Sequence, residues 1–261
     1  MSAPASRKPL RPGVELYTVR NALATDPAAT LGALAAAGIE EIECFYTPAT
    51  PLQAIRASGI DCVSVFLDSK SAIEPQLEAA SSLKARFVVY ACTPELCAPE
   101  QPSEQNVQAV AERFTGWARQ AQAAGLRFAF HPHAHEYRAA GRLRAVDLLM
   151  SLTDPKLVEL EMDMGWAHVG GADTAMMLTR YRGRIPLVHV KDRDPAIPVA
   201  TGGDSSVQFV TLGEGKLDYE TLIPIARATG VEHFLLETDH PKDALANVSA
   251  GVAWFKARPW L

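Results

Sequence analysis

The sequence lacks the features that usually mark membrane-spanning, exported and nucleic-acid-binding proteins. No apolar run approaches the roughly 18 residues that a transmembrane helix needs. Arg7, Lys8 and Arg11 stand near the N-terminus, but the apolar stretch of a signal peptide does not follow them. Lys and Arg form no run, and 30 acidic against 25 basic side chains give a net charge of −5. We therefore expect neither a membrane nor a nucleic acid as partner.

Cysteine is also scarce. The four cysteines lie in or beside apolar, strand-like runs, and only two of them are close in sequence: Cys44, Cys62, Cys92 and Cys97. Buried free thiols are favoured over a disulfide framework, which suits a reducing compartment. The sequence therefore predicts a cytoplasmic protein, with a periplasmic location as the alternative if an export signal has been removed.

Short apolar runs alternate with longer amphipathic, alanine-rich segments, an order typical of a parallel sheet with crossover helices. The eight predicted strands are Val14–Val19, Ile39–Phe45, Cys62–Leu67, Phe87–Ala91, Leu126–His131, Leu157–Asp163, Pro186–Lys191 and Phe234–Glu237. The predicted helices are Ala28–Ala37, Pro51–Ala57, Ala72–Leu83, Val107–Ala124, Ala145–Leu152, Thr174–Arg180, Tyr219–Thr229 and Ala244–Lys256. Since one α/β barrel takes about 250 residues, we predict a single (β/α)₈ TIM barrel over residues 13–261, preceded by a flexible segment of residues 1–12. Residues 192–215 are expected to form a long loop.

Ligand-type side chains stand at the ends of the last four predicted strands. All 7 histidines follow residue 130, which places the expected site on strands five to eight. Two imidazoles and two carboxylates suit Mn²⁺, Zn²⁺, Co²⁺ or Fe²⁺ better than Ca²⁺ or Mg²⁺. We predict one divalent ion, Mn²⁺ being favoured, held by His131, Asp163, His189 and Glu237. The alternative for each residue alone is an isolated buried or rim polar group.

Further residues are predicted to move protons and to bind substrate. Glu237 is one candidate base, and Glu43 on the inward side of strand two is another. A solvated acidic strand start is the alternative for Glu41 and Glu43. Lys191 shares the inward parity of His189 and is placed to stabilise an oxyanion, a rim pair with a nearby aspartate being the alternative. The expected substrate contacts, with core packing as the alternative for the tryptophan, are Glu15, Tyr17, His133, Glu136 and Trp166.

Six short motifs in order resemble the signatures of the xylose-isomerase-like sugar isomerase/epimerase TIM-barrel family, in its inosose dehydratase and keto-sugar branch. They are GVELYTVR at 13–20, HPHAHEY at 131–137, DMGW at 163–166, HVKD at 189–192, LGEG at 212–215 and LETD at 236–239. The resemblance covers essentially the whole chain. It implies one divalent metal, often Mn²⁺, at the barrel mouth, gripping vicinal oxygens of a sugar, keto-sugar or polyol.

Two departures from the family pattern bear on mechanism. This branch usually reads GVQLY at strand one and HNHDFEF at strand five, where this chain has Glu15, Pro132, Ala134 and His135. Ketose epimerases of the family use a strand-five glutamate that binds metal and moves a proton, and here that strand ends in His131. A relay between two glutamates is therefore not carried over to this chain.

The resemblance and the predicted site together indicate a metal-dependent isomerase or epimerase that acts on a sugar or keto-sugar through an enediolate. The alternative is a metal-dependent lyase or dehydratase of a keto-sugar, 3-keto-glycoside or inosose. An abasic-site endonuclease is disfavoured, because it needs histidines on strands three and four and the chain has none there. A non-catalytic sugar-binding barrel is the remaining rival. We expect an unphosphorylated small-molecule substrate, and a homo-oligomer is compatible with the sequence.

Overall fold

The computed structural model describes residues 9–91, 93–97, 102–194, 196 and 209–258. Its strands are β1 (Pro12–Glu15), β2 (Glu41–Phe45), β3 (Asp61–Phe66), β4 (Phe87–Ala91), β5 (Arg127–His131), β6 (Ala139–Ala140), β7 (Leu143–Arg144), β8 (Val158–Asp163), β9 (Leu187–Val190), β10 (Asp192–Arg193), β11 (Phe209–Val210) and β12 (His233–Leu236). Eight of them form a closed parallel barrel in the order β1-β12-β9-β8-β5-β4-β3-β2. The other four pair as two small antiparallel hairpins, β6-β7 and β10-β11. The predicted single (β/α)₈ barrel is confirmed.

Helices surround the barrel. They are α1 (Arg20–Thr25), α2 (Pro27–Ala37), α3 (Leu52–Ser58), α4 (Ile73–Ser82), α5 (Pro94–Cys97), α6 (Glu104–Ala123), α7 (Ala145–Leu152), α8 (Met164–Val169), α9 (Thr174–Arg180), α10 (Tyr219–Thr229) and α11 (Ala244–Lys256). All eight predicted helices are present, and α1, α5 and α8 are additional. These three span at most two turns, too short to show helical periodicity in the sequence. None of the described helices combines the length and the apolar character needed to cross a bilayer.

Two sequence expectations about loops and strand ends were wrong. Strand one was expected to reach Val19, but it ends at Glu15, whose side chain caps a 3₁₀ turn (Leu16–Val19) by accepting the N–H of Tyr17. The stretch expected to be a loop from residue 192 contains the β10-β11 hairpin. Of the predicted N-terminal segment, residues 1–8 lie outside the described residues, and β1 begins at Pro12.

The barrel interior is layered. At its N-terminal end, Glu41 is buried and joins Arg11, whose Nη1 donates to Oε1 at 2.7 Å, and His233, whose Nδ1 lies 2.8 Å from Oε2. Above this ionic cluster lies an apolar layer of side chains: Val63, Phe66, Phe87, Val89, Ala129, Leu187 and Leu235. The polar strand ends follow at the C-terminal mouth. Glu41 therefore belongs to the opposite end of the barrel from the predicted site, as does His233.

Gly13 marks a point where neighbouring strands leave no room for a side chain. A Cβ there would lie 2.6 Å from Leu235 Cδ2 and 3.1 Å from the carbonyl oxygen of Phe234. We expect Gly13→Ala to lower the free energy of unfolding by about 1–3 kcal/mol, because the fully buried Leu235 side chain has to shift and the carbonyl of Phe234 has to give way slightly. Urea denaturation measures this difference.

The matched control is Gly32→Ala in α2, where a Cβ meets nothing within 4 Å. There the helix propensity of alanine should raise stability by up to about 1 kcal/mol. Equal effects of the two substitutions would show that the close packing of β1 is not what constrains Gly13.

Candidate active site

The carboxyl ends of adjacent barrel strands bring the predicted ligands together. Imidazoles come from His131 at the end of β5 and His189 in β9, and a carboxylate comes from Asp163 at the end of β8. His131 Nε2 and His189 Nδ1 each lie 3.9 Å from Asp163 Oδ2. Glu237, directly after β12, places Oε2 at 2.7 Å from His189 Nδ1. All four side chains are buried, and Glu237 adjoins the other three through its contact with His189.

The donor atoms at this centre fit a divalent transition-metal ion. His131, Asp163 and His189 offer ligand atoms that lie within 4.8 Å of one another. Asp163 Oδ2 is buried and makes no hydrogen bond, which leaves an electron pair available, although Lys191 Nζ lies 3.1 Å away as an ion pair. Mixed imidazole and carboxylate donors are typical ligands of such ions.

Two buried glutamates hold the outer nitrogens of the imidazoles. Glu161 Oε2 lies 3.0 Å from His131 Nδ1, and Glu43 Oε1 lies 2.8 Å from His189 Nε2. Ser64 Oγ donates to the second oxygen of Glu43. A carboxylate on the far nitrogen of a ligand histidine fixes its tautomer and ring orientation. Burial and repulsion from Glu43 raise the pKa of Glu161 well above its usual range.

The interpretation of Glu41 and Glu43 as a solvated strand start is wrong, since both are buried. In the sequence, Glu161 shares the strand parity of Asp163, but it was assigned no role. Its parity was the available signal, because alternate residues of a strand share a face and Asp163 lies two positions on.

Lys191 is the only described lysine buried in the mouth, and it lies among three carboxylates. Its Nζ is 2.8 Å from Glu237 Oε2, 3.1 Å from Asp163 Oδ2 and 3.0 Å from Asp239 Oδ2. Burial by itself would lower the pKa of Lys191, but the three carboxylates outweigh it and raise that pKa well above its usual range. Burial alone would raise the pKa of Glu237, but Lys191 and His189 outweigh it and hold that pKa well below its usual range. Three aspartates near the rim were possible partners of this lysine: Asp192, Asp194 and Asp239. Among their described contacts, Asp239 is the one that pairs with Lys191, and the lysine side chain is buried in this pair.

Aromatic side chains form one wall of the mouth. The ring of His133 lies 5.0 Å from that of His131 and 5.4 Å from that of Trp166, and the Trp166 ring lies 4.8 Å from that of Phe209. Phe209 was not among the predicted contacts, because it enters from the β10-β11 hairpin that the sequence did not reveal. Burial lowers the pKa of His133 to about 3.

The other predicted contacts lie around the rim or behind it. Glu15 is buried, with a pKa raised by burial and by the charges of Glu43 and Glu237, and its Oε2 has no hydrogen-bond partner. Tyr17 is 38% exposed and stacks beneath the guanidinium of Arg20.

Glu136 lies behind the mouth. It accepts from Thr93 Oγ1 at 2.6 Å and from the backbone N–H of His133 at 2.9 Å. Glu136, predicted as a substrate contact, therefore holds the backbone at His133 in place from behind the mouth.

Comparisons with known proteins agree with this architecture. A profile of the family described as "Xylose isomerase-like TIM barrel" matches residues 13–258. An inosose dehydratase of Clostridium perfringens is 27% identical over 153 residues, which are 56% of this chain and 51% of that protein, so the match spans about half of the relative's length.

Solved structures share the fold at low identity. A sugar phosphate isomerase/epimerase of Parabacteroides distasonis superposes with a TM-score of 0.80 at 19% identity, covering 99% of this chain and 98% of that one. The IOLI protein with a bound zinc atom superposes with a TM-score of 0.73 at 13% identity, covering 95% and 97%.

His133 predicts an acid-dependent loss of stability. Its pKa is about 3 in the folded chain against 6.5 for an unperturbed histidine, so its contribution is complete above pH 6.5 and is lost progressively as the pH falls toward 3. We expect the difference in unfolding free energy between the wild type and His133→Gln to change by about 1.4 kcal/mol per pH unit in that window. Urea titrations with a chelator present measure it, and a difference that is independent of pH would contradict the assignment.

Proposed function

Because the chain belongs to the xylose isomerase-like TIM barrel family, we propose that it is a divalent-metal-dependent enzyme that abstracts a proton beside the carbonyl of a keto-sugar or inosose. The observation that carries this proposal is the cluster of two imidazoles and two carboxylates at consecutive strand ends, backed by a buried lysine. Metal, carboxylate base and cation together are the parts that such a proton abstraction requires.

The proposed ligands are His131 Nε2, Asp163 Oδ2, His189 Nδ1 and Glu237 Oε2. Three contacts support this choice of atoms: Glu161 holds the other nitrogen of His131, Glu43 holds the other nitrogen of His189, and Glu237 approaches His189 Nδ1. A divalent ion bound there would act as a Lewis acid and stabilise the enediolate of the substrate. Mn²⁺ is the favoured ion, with Zn²⁺, Co²⁺ and Fe²⁺ as alternatives.

Three charged side chains take the proposed proton-transfer and charge-stabilising roles. Glu237 is the proposed base, because it is the most exposed of the four clustered carboxylates Glu43, Glu161, Asp163 and Glu237, at 8%, and lies beside Lys191. Lys191 carries the positive charge that stabilises a developing oxyanion. Glu43 is deeper, at 0% exposure, and acts through His189, so we assign it to positioning that ring rather than to direct contact with substrate.

The remaining predicted contacts form the proposed sugar pocket. Trp166, with Phe209, offers an apolar wall for the ring of the substrate, and Tyr17 lines the opposite rim. Glu15 Oε2 and the imidazole of His133 are the proposed hydrogen-bond partners of substrate hydroxyls. Glu136 keeps His133 in position through the backbone.

Elimination is favoured over isomerisation or epimerisation as the fate of the enediolate. Epimerisation needs a second proton donor on the opposite face, and the strand-five glutamate that serves this purpose in ketose epimerases is replaced by His131. The curated relative is named inosose dehydratase, and dehydration is an elimination. Isomerase or epimerase activity is the second candidate: Glu43 and Glu237 lie on the two sides of His189, and this activity would require Glu43 to leave His189 and reach the substrate.

The first prediction concerns metal content. Purified protein should contain about one transition-metal ion per chain, and Asp163→Asn or Glu237→Gln should lower this content sharply. Elemental analysis after dialysis measures it. Asp173→Asn is the matched control, because Asp173 caps α9 as Asp163 caps α8 but is exposed and far from the ligands. Full metal content in both ligand variants would refute the ligand set.

Proton abstraction is tested with keto-sugars and inososes supplied to the Mn²⁺-loaded protein in D₂O, with products followed by NMR. We expect deuterium at the carbon beside the carbonyl, and loss of water or of a glycosidic substituent for the favoured elimination. Deuterium exchange in a product of unchanged composition would instead indicate an isomerase or epimerase. Turnover without incorporation of deuterium beside the carbonyl would contradict the enediolate. A folded, metal-loaded protein without turnover would favour the sugar-binding barrel.

Lys191→Met separates a catalytic lysine from a structural one. Loss of a charge that stabilises the transition state should lower kcat and kcat/KM together by about 10²-fold. Steady-state kinetics measure this effect, with metal content and circular dichroism as checks that the variant is loaded and folded. Near-normal kinetics in such a variant would leave Lys191 only its structural role.

A further inference from the structure

A second cation lies beside the site, and no described residue neutralises it. Arg193 is 1% exposed, and its Nε, Nη1 and Nη2 atoms are all buried without a hydrogen bond. Lys191, two positions earlier, has three carboxylates around it, whereas no described carboxylate forms an ion pair with Arg193. A buried charge without a partner is strongly unfavourable, so a guanidinium in this setting calls for an anion.

The register of the hairpin indicates where this side chain is directed. Arg193 lies directly opposite Phe209 in the β10-β11 pair, and residues opposite each other in an antiparallel pair have side chains on the same face. The ring of Phe209 contacts Trp166, and Lys191 Nζ lies 4.8 Å from its centroid. Arg193 therefore belongs to the face of the hairpin that lines the mouth.

The acidic side chains next to Arg193 are engaged elsewhere. The carboxylate of Asp192 accepts the backbone N–H groups of Gly213 at 2.9 Å, Gly215 at 3.0 Å and Leu217 at 3.3 Å. Asp194 Oδ1 accepts the N–H of Ala196 at 2.7 Å. Neither neighbour is arranged to neutralise the guanidinium.

We propose that Arg193 binds a carboxylate group of the substrate, so that this enzyme acts on an acidic keto-sugar. The inference rests on the proposed function and adds a substrate class to it. A guanidinium presents two parallel N–H donors that match one carboxylate. A phosphate ester offers the same kind of oxygens, but the negative charges of Asp192 and Asp194 beside Arg193 disfavour a dianion.

Binding to the Mn²⁺-loaded protein tests the proposal without requiring turnover. The probes are D-glucitol, D-gluconate and D-glucitol 6-phosphate, which share a carbon chain and differ in charge, and calorimetry measures their dissociation constants. We expect gluconate to bind at least about tenfold more tightly than glucitol, since its carboxylate pairs a guanidinium that is otherwise buried without a partner. Arg193→Met should abolish this preference while glucitol binding stays unchanged.

Two further variants keep the result interpretable. Arg182→Met removes an exposed arginine far from the mouth and should leave every constant unchanged. Arg193→Lys keeps the charge without the two parallel donors, and it should weaken the binding of gluconate alone. If Arg193→Met does not fold, this variant tests whether Arg193 binds the carboxylate.

The outcomes separate this inference from the proposed function. Equal binding of gluconate by the wild type and the Arg193 variants would overturn the carboxylate site, and so would an Arg193-dependent preference for glucitol 6-phosphate over gluconate. In either case, deuterium exchange with neutral keto-sugars would still support the proposed reaction. Absence of turnover with all substrates, together with Arg193-dependent gluconate binding, would retain the anion site and reject the reaction.

Discussion

Concentrated negative charge inside the barrel is the constraint on which the site depends. Glu43, Glu161, Asp163 and Glu237 are all buried within one mouth, and carboxylates in such an environment require cations, protons or hydrogen-bond donors. Lys191 supplies one permanent positive charge, in contact with two of them. Ser64 Oγ and the N–H of Trp166 donate to two of these acids, and each imidazole lies between two acids, which gives its ring a defined orientation.

The barrel makes this arrangement possible because its strands are parallel. Their carboxyl ends meet at one mouth, and alternation of side chains along each strand directs His189 and Lys191 to the same side. The apolar layer below the mouth excludes water and strengthens every electrostatic contact above it. At the opposite end, Glu41 forms a separate ionic cluster with Arg11 and His233.

The site differs from a two-glutamate epimerase in how its acids are used. An imidazole stands at the end of β5, and Glu161 contacts the Nδ1 atom of this ring, His131, from behind. Glu43, the other candidate for proton transfer, is occupied by His189 and Ser64. In the proposed reaction Glu237 is the carboxylate that exchanges protons with the substrate, while Glu15 Oε2, which has no hydrogen-bond partner, is kept for a substrate hydroxyl, and this division favours a reaction that proceeds from one face.

The sequence alone determined the barrel, eight of its helices and the four strand-end side chains proposed as ligands, because periodicity and strand parity are local properties that a parallel barrel converts directly into position. His131, Asp163, His189 and Glu237 could each be placed from the end of an apolar run. Tertiary structure decided which neighbours those residues have. Glu43 and Glu161 reach their histidines from strands far apart in the chain, and Phe209 and Arg193 come to the mouth through a hairpin of two-residue strands. Neither kind of contact leaves a periodic signal, since distances between side chains on different strands depend on the closure of the barrel rather than on sequence spacing.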